Sequence, residues 1–238
     1  MSKAIIIGAS SGIGRGLAKI LAEDNYDLGL MARREKNLVE LQKELPTKSY
    51  VQYIDISKQD EAIANLRELI TDMNGVDLVI VTSGSGHIND ALDWDKEKQT
   101  IDVNVSGVTA MIGTAYKYFE EKTQGHLVVI SSVGAIRGSR QATSYNASKA
   151  YISNYLEGIR CKAKKDELDI TITDIRPGLI DTDMAKGEGL FWVQPLEKAS
   201  KQMYKSIKQK KEIVYITKRW AVIAFVLKHM PNWIYYKM

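Results

Sequence analysis

Ala4-Ile5-Ile6-Ile7-Gly8-Ala9-Ser10-Ser11-Gly12-Ile13-Gly14 runs from a short β-branched stretch through a glycine-rich turn into a helical pattern that starts at Ile13. A strand followed at once by glycines and then a helix is the opening of a βα unit. Glycine permits a tight turn and lets backbone N–H groups approach an anion, and the helix start adds the favourable end of its dipole. Ser10 and Ser11 add hydroxyl donors beside the same turn.

The pattern repeats outward from that turn. Apolar or β-branched runs recur at Ala4 to Gly8, Asp27 to Ala32, Tyr50 to Asp55, Leu78 to Ser83, His126 to Ser132 and Ile170 to Arg176, with longer segments between them. Ile13 to Glu23 and Lys58 to Met73 carry apolar residues at helical spacing, as in Ile63, Leu66, Leu69 and Ile70. Strands alternating with helices predict an α/β fold, a Rossmann-like doubly wound parallel sheet with helices on both faces. Gly178 to Pro195 reads as a long loop able to close over a ligand, followed by a helix near Leu196 to Lys208 and a strand at Glu212 to Ile216. No repeat or proline-rich linker divides the 238 residues, so one domain is expected over residues 1–238, with a substrate loop at about 178–195 and an apolar tail at about 218–238.

Composition narrows the class. The single cysteine, Cys161, excludes an intramolecular disulfide framework and fits a reducing cytoplasm. The apolar run that follows Lys3 is too short for a signal peptide, and no run approaches the roughly 18 apolar residues of a membrane span, so a soluble protein is expected. The net charge of +4 is modest, and the basic run Lys201 to Lys211 reads as a solvated helix face, not a nucleic-acid surface. His87, His126 and His229 are widely separated, and no catalytic metal is expected.

A turn of this kind suits a dinucleotide pyrophosphate, with Gly8, Ser10, Ser11, Gly12, Ile13 and Gly14 as the candidate contacts. In such folds a carboxylate about 20 residues further on binds the adenosine ribose when NAD is preferred. Here the second strand ends Leu30-Met31-Ala32-Arg33-Arg34. Guanidinium groups attract a 2′-phosphate, so the residues favour NADP(H), with Arg33 ahead of Arg34; as bare residues, both also read as ordinary flanks of the next helix.

Ser132 precedes Tyr145 by thirteen residues, and Tyr145-Asn146-Ala147-Ser148-Lys149 puts Tyr145 and Lys149 on one face of a helix. Carbonyl reduction needs a proton delivered to oxygen as hydride reaches carbon, which a tyrosine can supply. A nearby ammonium favours the phenolate, and Ser132 can donate a second hydrogen bond to the reacting oxygen.

The Gly-x-x-x-Gly-x-Gly turn, Ser132, Tyr145 and Lys149 together resemble the short-chain dehydrogenase/reductase family from Gly8 to Thr182. The resemblance implies that Lys149 bonds the nicotinamide ribose and that Asn104 anchors a water linking Lys149 to solvent. It implies that Asp55 and Ile56 contact adenine, although Asp55 alone equally reads as a helix N-cap. It also places Ser83 and Gly84 beside the cofactor, Pro177 and Gly178 in the turn facing the nicotinamide, and Thr182 on its carboxamide. Two positions depart from the family: Thr82-Ser83-Gly84 stands where Asn-Ala-Gly is usual, and Ile7 replaces a common threonine. The asparagine's structural hydrogen bonds must then be replaced or lost.

The expected partners are a small carbonyl or alcohol substrate and a second copy of the chain, since family members are commonly homodimers or homotetramers. Substrate choice is assigned to Val133 to Ser144 and to Asp183 to Gln194, where Met184, Leu190, Phe191 and Trp192 suggest a partly apolar site. The tail from Trp220 to Tyr236, with Lys218, Arg219, Lys228 and Lys237, fits a cover over the substrate pocket, a subunit contact or peripheral membrane contact, packing being favoured. Two other readings are a non-catalytic NADP-binding redox sensor and a membrane-docked scaffold.

Overall fold

The computed structural model describes residues 2–182 and 192–237. Seven parallel strands form one sheet: β1 (Lys3–Ile7), β2 (Asp27–Ala32), β3 (Ser49–Tyr53), β4 (Leu78–Val81), β5 (Gln124–Ile130), β6 (Asp169–Pro177) and β7 (Ile213–Ile216). Their order across the sheet is β3-β2-β1-β4-β5-β6-β7. The chain winds outward from β1 to β3, then returns to the centre and winds the other way. Neighbouring strands β1 and β4, in register Ile5↔Val79 and Ile7↔Val81, mark the reversal. Connections diverge there, leaving a crevice beyond their carboxyl ends.

The central strands are apolar at nearly every position because both faces are covered. Ile5 and Ile7 of β1 point into one core with Val79, Val81, Leu127 and Val129, while Ala4 and Ile6 point into the other with Leu78, Ile80, Val128 and Ile130. The first core is closed by α3 (Gln59–Asp72), α5 (Val108–Lys122) and α6 (Thr143–Lys165), through Leu66, Met111, Phe119, Ile152 and Leu156. The second is closed by α1 (Gly12–Glu23), α2 (Glu35–Glu44) and α7 (Leu196–Lys208), through Leu17, Leu21, Leu38, Leu41 and Met203. A helix α4 (Trp94–Ile101) enters α5 through a π-helical turn, Asp102–Gly107.

The expected fold is the one observed, with shifted ends. Several strands stop short of the expected residues: β4 ends at Val81, not Ser83, and β5 at Ile130, not Ser132, so Ser83 and Ser132 lie on the loops beyond them. The long loop after β6 is pinned at its neck by a parallel bridge between Ile180 and Gln194. The candidate substrate residues Met184, Leu190 and Phe191 lie outside the described residues. The tail is helical: α8 (Lys218–His229) and α9 (Asn232–Tyr235).

Candidate active site

The glycine-rich turn sits over the carboxyl ends of β1 and β4. Gly8 has φ of +103°, a backbone conformation that L side chains rarely adopt. A methyl on Gly14 would lie 2.2 Å from the Gly8 carbonyl oxygen, so α1 can approach the turn only with glycine there. The first turn of α1 leaves its amides without intrahelical acceptors, as at any helix start, and Ser11 sits before it in extended conformation with its side chain making no cap. That donor set fits a pyrophosphate.

Arg33 and Arg34 are both exposed just past β2, and the structure separates them. Arg34 Nη2 donates to the hydroxyl oxygens of Ser10, at 3.1 Å, and Ser11, which brings its charge over the glycine turn. Arg34, the second choice of the two, is therefore the one docked on the turn. Asp55 does not cap the following helix, which starts four residues later at Gln59. Its Oδ1 accepts from the Ser57 amide at 3.1 Å and the Ser57 hydroxyl at 2.8 Å, bracing the loop after β3. Ile56 is buried beside it, against the π turn at Gly107.

The departure at Thr82-Ser83-Gly84 is compensated locally. The Thr82 hydroxyl lies 3.0 Å from the Ile7 carbonyl and 3.1 Å from that of Gly8, close enough to donate to either, and it ties the end of β4 to the glycine turn. Ser83 N donates to Ile7 O at 3.1 Å. Thr182 closes the turn from the opposite side, its methyl 3.5 Å from where a Gly12 side chain would start.

Ser132, Tyr145 and Lys149 converge at the carboxyl ends of β4 and β5. Ser132 Oγ accepts from the Gly134 amide at 3.0 Å, which fixes the hydroxyl at the start of the loop. Lys149 Nζ donates to the Ile130 carbonyl at 3.0 Å, lies 5.7 Å from the Tyr145 ring centroid, and faces Gly84. Burial raises the Tyr145 phenol above its usual range, with the Ser132 hydroxyl pulling the other way. Burial also lowers Lys149 to about 8, against a smaller upward pull from Asp174. Desolvation thus dominates the phenol here, where the sequence suggested that the ammonium would.

Asn104 stands in the π turn, fully buried. Its Oδ1 accepts from the Ser85 amide at 2.8 Å, and its Nδ2 donates to the Ser85 carbonyl at 2.7 Å and to Ser148 Oγ at 3.0 Å. Ser148 in turn donates to the Tyr145 carbonyl at 2.7 Å. The amide therefore clamps the loop after β4 to the helix bearing Tyr145.

Several residues of this region escaped the sequence reading. A methyl on Gly86 would lie 2.8 Å from Tyr145 Cδ2, so that glycine leaves room for the ring; the alternation Gly84-Ser85-Gly86 was the available signal. Asp174, almost fully buried on β6, accepts from Ser131 and from Arg176 Nε at 2.7 Å. Trp220 of α8 packs on Gly178, where a methyl would lie 2.1 Å from the indole, so the tail helix backs the Pro177-Gly178 turn. No motif predicts either contact. Among the described residues no group of three or more His, Cys, Asp or Glu could hold a metal ion, and no helix is long and apolar enough to cross a membrane.

Comparison with known proteins bears on the family and the fold. The family model described as short chain dehydrogenase matches residues 2–190. An uncharacterised oxidoreductase of Myxococcus xanthus is 32% identical over 186 residues, covering 76% of this chain and 73% of its own. Among solved structures, a short-chain dehydrogenase from Sphingobium yanoikuyae in complex with NADPH superposes with a TM-score of 0.82 at 18% identity, covering 98% of this chain and 97% of that one. A 3-ketoacyl-(acyl-carrier-protein) reductase from Brucella melitensis complexed with NADH gives 0.80 at 17% identity, covering 90% and 96%.

Proposed function

The chain belongs to the short-chain dehydrogenase/reductase family of oxidoreductases, and on that premise we propose that it moves a hydride between NADP(H) and the carbon of a small carbonyl or alcohol, with Tyr145 as general acid or base. The observation that carries the proposal is the convergence of Ser132, Tyr145 and Lys149 beyond β4 and β5, beside a glycine turn on which Arg34 is docked.

A bound nicotinamide supplies the hydride. In the reductive direction Tyr145 gives its phenolic proton to the carbonyl oxygen, and the raised phenol keeps that proton loaded at neutral pH. Ser132, positioned by the Gly134 amide, donates a hydrogen bond to the same oxygen and stabilises the charge that develops there. Lys149, charged below about pH 8, stabilises the tyrosinate left behind and bonds the ribose. Asn104 holds the loop after β4 against the helix that bears Tyr145. Gly8 to Gly14 would hold the pyrophosphate, with Arg34 and then Arg33 as partners of the 2′-phosphate; Asp55 and Ile56 would contact the adenine, Ser83 and Gly84 would lie beside the cofactor, and Pro177, Gly178 and Thr182 would face the nicotinamide and its carboxamide.

Titration with NADPH and NADH, followed by a carbonyl panel read at the reduced-cofactor absorbance, tests the reading. Tight NADPH binding with turnover, and binding without turnover in Tyr145→Phe, is the expected result. Binding to neither cofactor overturns it.

A further inference from the structure

The tail carries a second feature on its outward side. Trp220 and Ala224 of α8 are buried against the body, and the helix end is tied down by Arg137, which donates to the Met230 carbonyl at 3.1 Å and to Asn232 Oδ1 at 2.8 Å. Arg137 also stacks 4.3 Å over the Tyr235 ring, and the Tyr235 hydroxyl donates to the Gly138 carbonyl. The unit is therefore held firmly by one face while the opposite face stays outside.

That opposite face is largely apolar, with the exposed His229 ring 4.3 Å from that of Phe225 at its end. Val222, Phe225 and Val226 follow the i, i+3, i+4 spacing of one helix side, and Val222 and Phe225 are each 65% exposed. On and just after α9, Trp233 and Tyr236 are also outward, at 67% and 77% exposure. Isolated apolar residues on a surface need no explanation, but a cluster of this kind marks a binding surface.

The charges around it select the occupant. Lys218, Arg219, Lys228 and Lys237 are exposed at its margins, and the sequence contains no Asp or Glu after Glu212. Among the described residues Lys218, Lys228 and Lys237 have no ion-pair partner. A second copy docked through this face would bring both sets of cations together with no carboxylate to neutralise them. An anionic lipid surface offers phosphates to the rim and acyl chains to the centre, the arrangement of an interfacial amphipathic helix.

We infer that α8 and α9 dock this protein peripherally on anionic bilayers, Phe225 and Trp233 entering the interface and Lys218 and Lys228 meeting headgroup phosphates. The inward side of the two helices packs on the loops after β5 and β6, and α8 follows β7 directly, so docking through the outward side turns the end of the sheet that bears Tyr145 toward the membrane. The inference does not depend on the hydride-transfer reading.

The test is co-sedimentation of the full chain with vesicles of phosphatidylcholine alone and of phosphatidylcholine mixed with phosphatidylglycerol, with light-scattering mass measured in parallel. The expected result is binding to the mixed vesicles that weakens with salt. Each lysine near an anionic surface is worth roughly fivefold in partitioning, so Lys218→Gln combined with Lys228→Gln should lower it about twenty-five-fold. Phe225→Ser should lower it roughly tenfold. All three side chains are exposed, and an unchanged circular dichroism spectrum confirms that the variants fold. The inference is overturned by folded protein that ignores anionic vesicles, by equal binding of wild type and Phe225→Ser, or by a dimer that Phe225→Ser dissolves without vesicle binding.

Discussion

Acidification from pH 7 to 5 should destabilise this protein through His126, a residue far from the proposed chemistry. It lies on β5 opposite Leu78, only 8% exposed, and its Nε2 is 2.8 Å from the Thr173 hydroxyl. That hydroxyl donates to the Lys211 carbonyl at 2.7 Å, so it accepts from the imidazole, which is a neutral ring with its proton on Nε2. Burial, and secondarily the positive charge of Lys210, lowers the group from 6.5 to about 4. The unfolded chain takes up a proton as pH falls through 6.5, while the fold resists until about 4, so stability is lost across that window. At about 1.36 kcal/mol per pKa unit, the loss reaches about 2 kcal/mol at pH 5 and about 3 kcal/mol at pH 4. Urea unfolding at pH 7 and 5 measures it, with His126→Gln, whose amide can still donate to Thr173, as the control. The variant should show a pH-dependent loss smaller by about 2 kcal/mol. If both proteins lose the same stability between the two pH values, the burial argument fails.

Other consequences follow from particular contacts. Arg34→Ala should weaken NADPH roughly ten- to a hundredfold while leaving NADH nearly unchanged, by fluorescence titration; equal loss for both would mean that Arg34 acts only by holding Ser10 and Ser11. Lys149 is held near 8 against 10.5 in an unfolded chain, so the fold carries the full burial penalty below pH 8 and sheds it as pH climbs toward 10.5. Lys149→Met should therefore be inactive yet more stable at pH 7, by about 1–3 kcal/mol, with that advantage shrinking at pH 10 in urea titrations. Asp174→Asn removes the partner of the largely buried Arg176 and should cost about 3–5 kcal/mol in the same assay.

Much of the candidate site was legible because its residues are set by spacing along the chain. Tyr145 and Lys149 are one helical turn apart, so their shared face follows from periodicity, and Gly8 to Gly14 follow directly from the strand that precedes them. Arg33 against Arg34 could not be decided that way: adjacent residues on a loop point apart, and only the positions of the Ser10 and Ser11 hydroxyls choose between them. The direction of the Tyr145 shift was likewise hidden, because desolvation depends on how many elements close over a group, not on its neighbours in sequence.

The sequence by itself determined the alternation of strands and helices, the parallel sheet that such alternation predicts, the glycine-rich turn after the first strand, and the candidate set Ser132, Tyr145 and Lys149. These rest on local periodicity and on residue types whose chemistry is intrinsic. Only the tertiary structure decided that Thr82 takes over the tie to the glycine turn, that Asp174 lies buried with Arg176 and Ser131, and that Trp220 covers Gly178 while Val222 and Phe225 face outward. Apart from the ion pair of Asp174 with Arg176, two positions apart on β6, those contacts join residues tens of positions apart. Which side of the tail helix is buried depends on the surfaces that β5, β6 and β7 present to it, and a helical pattern in sequence does not specify the surface it will meet.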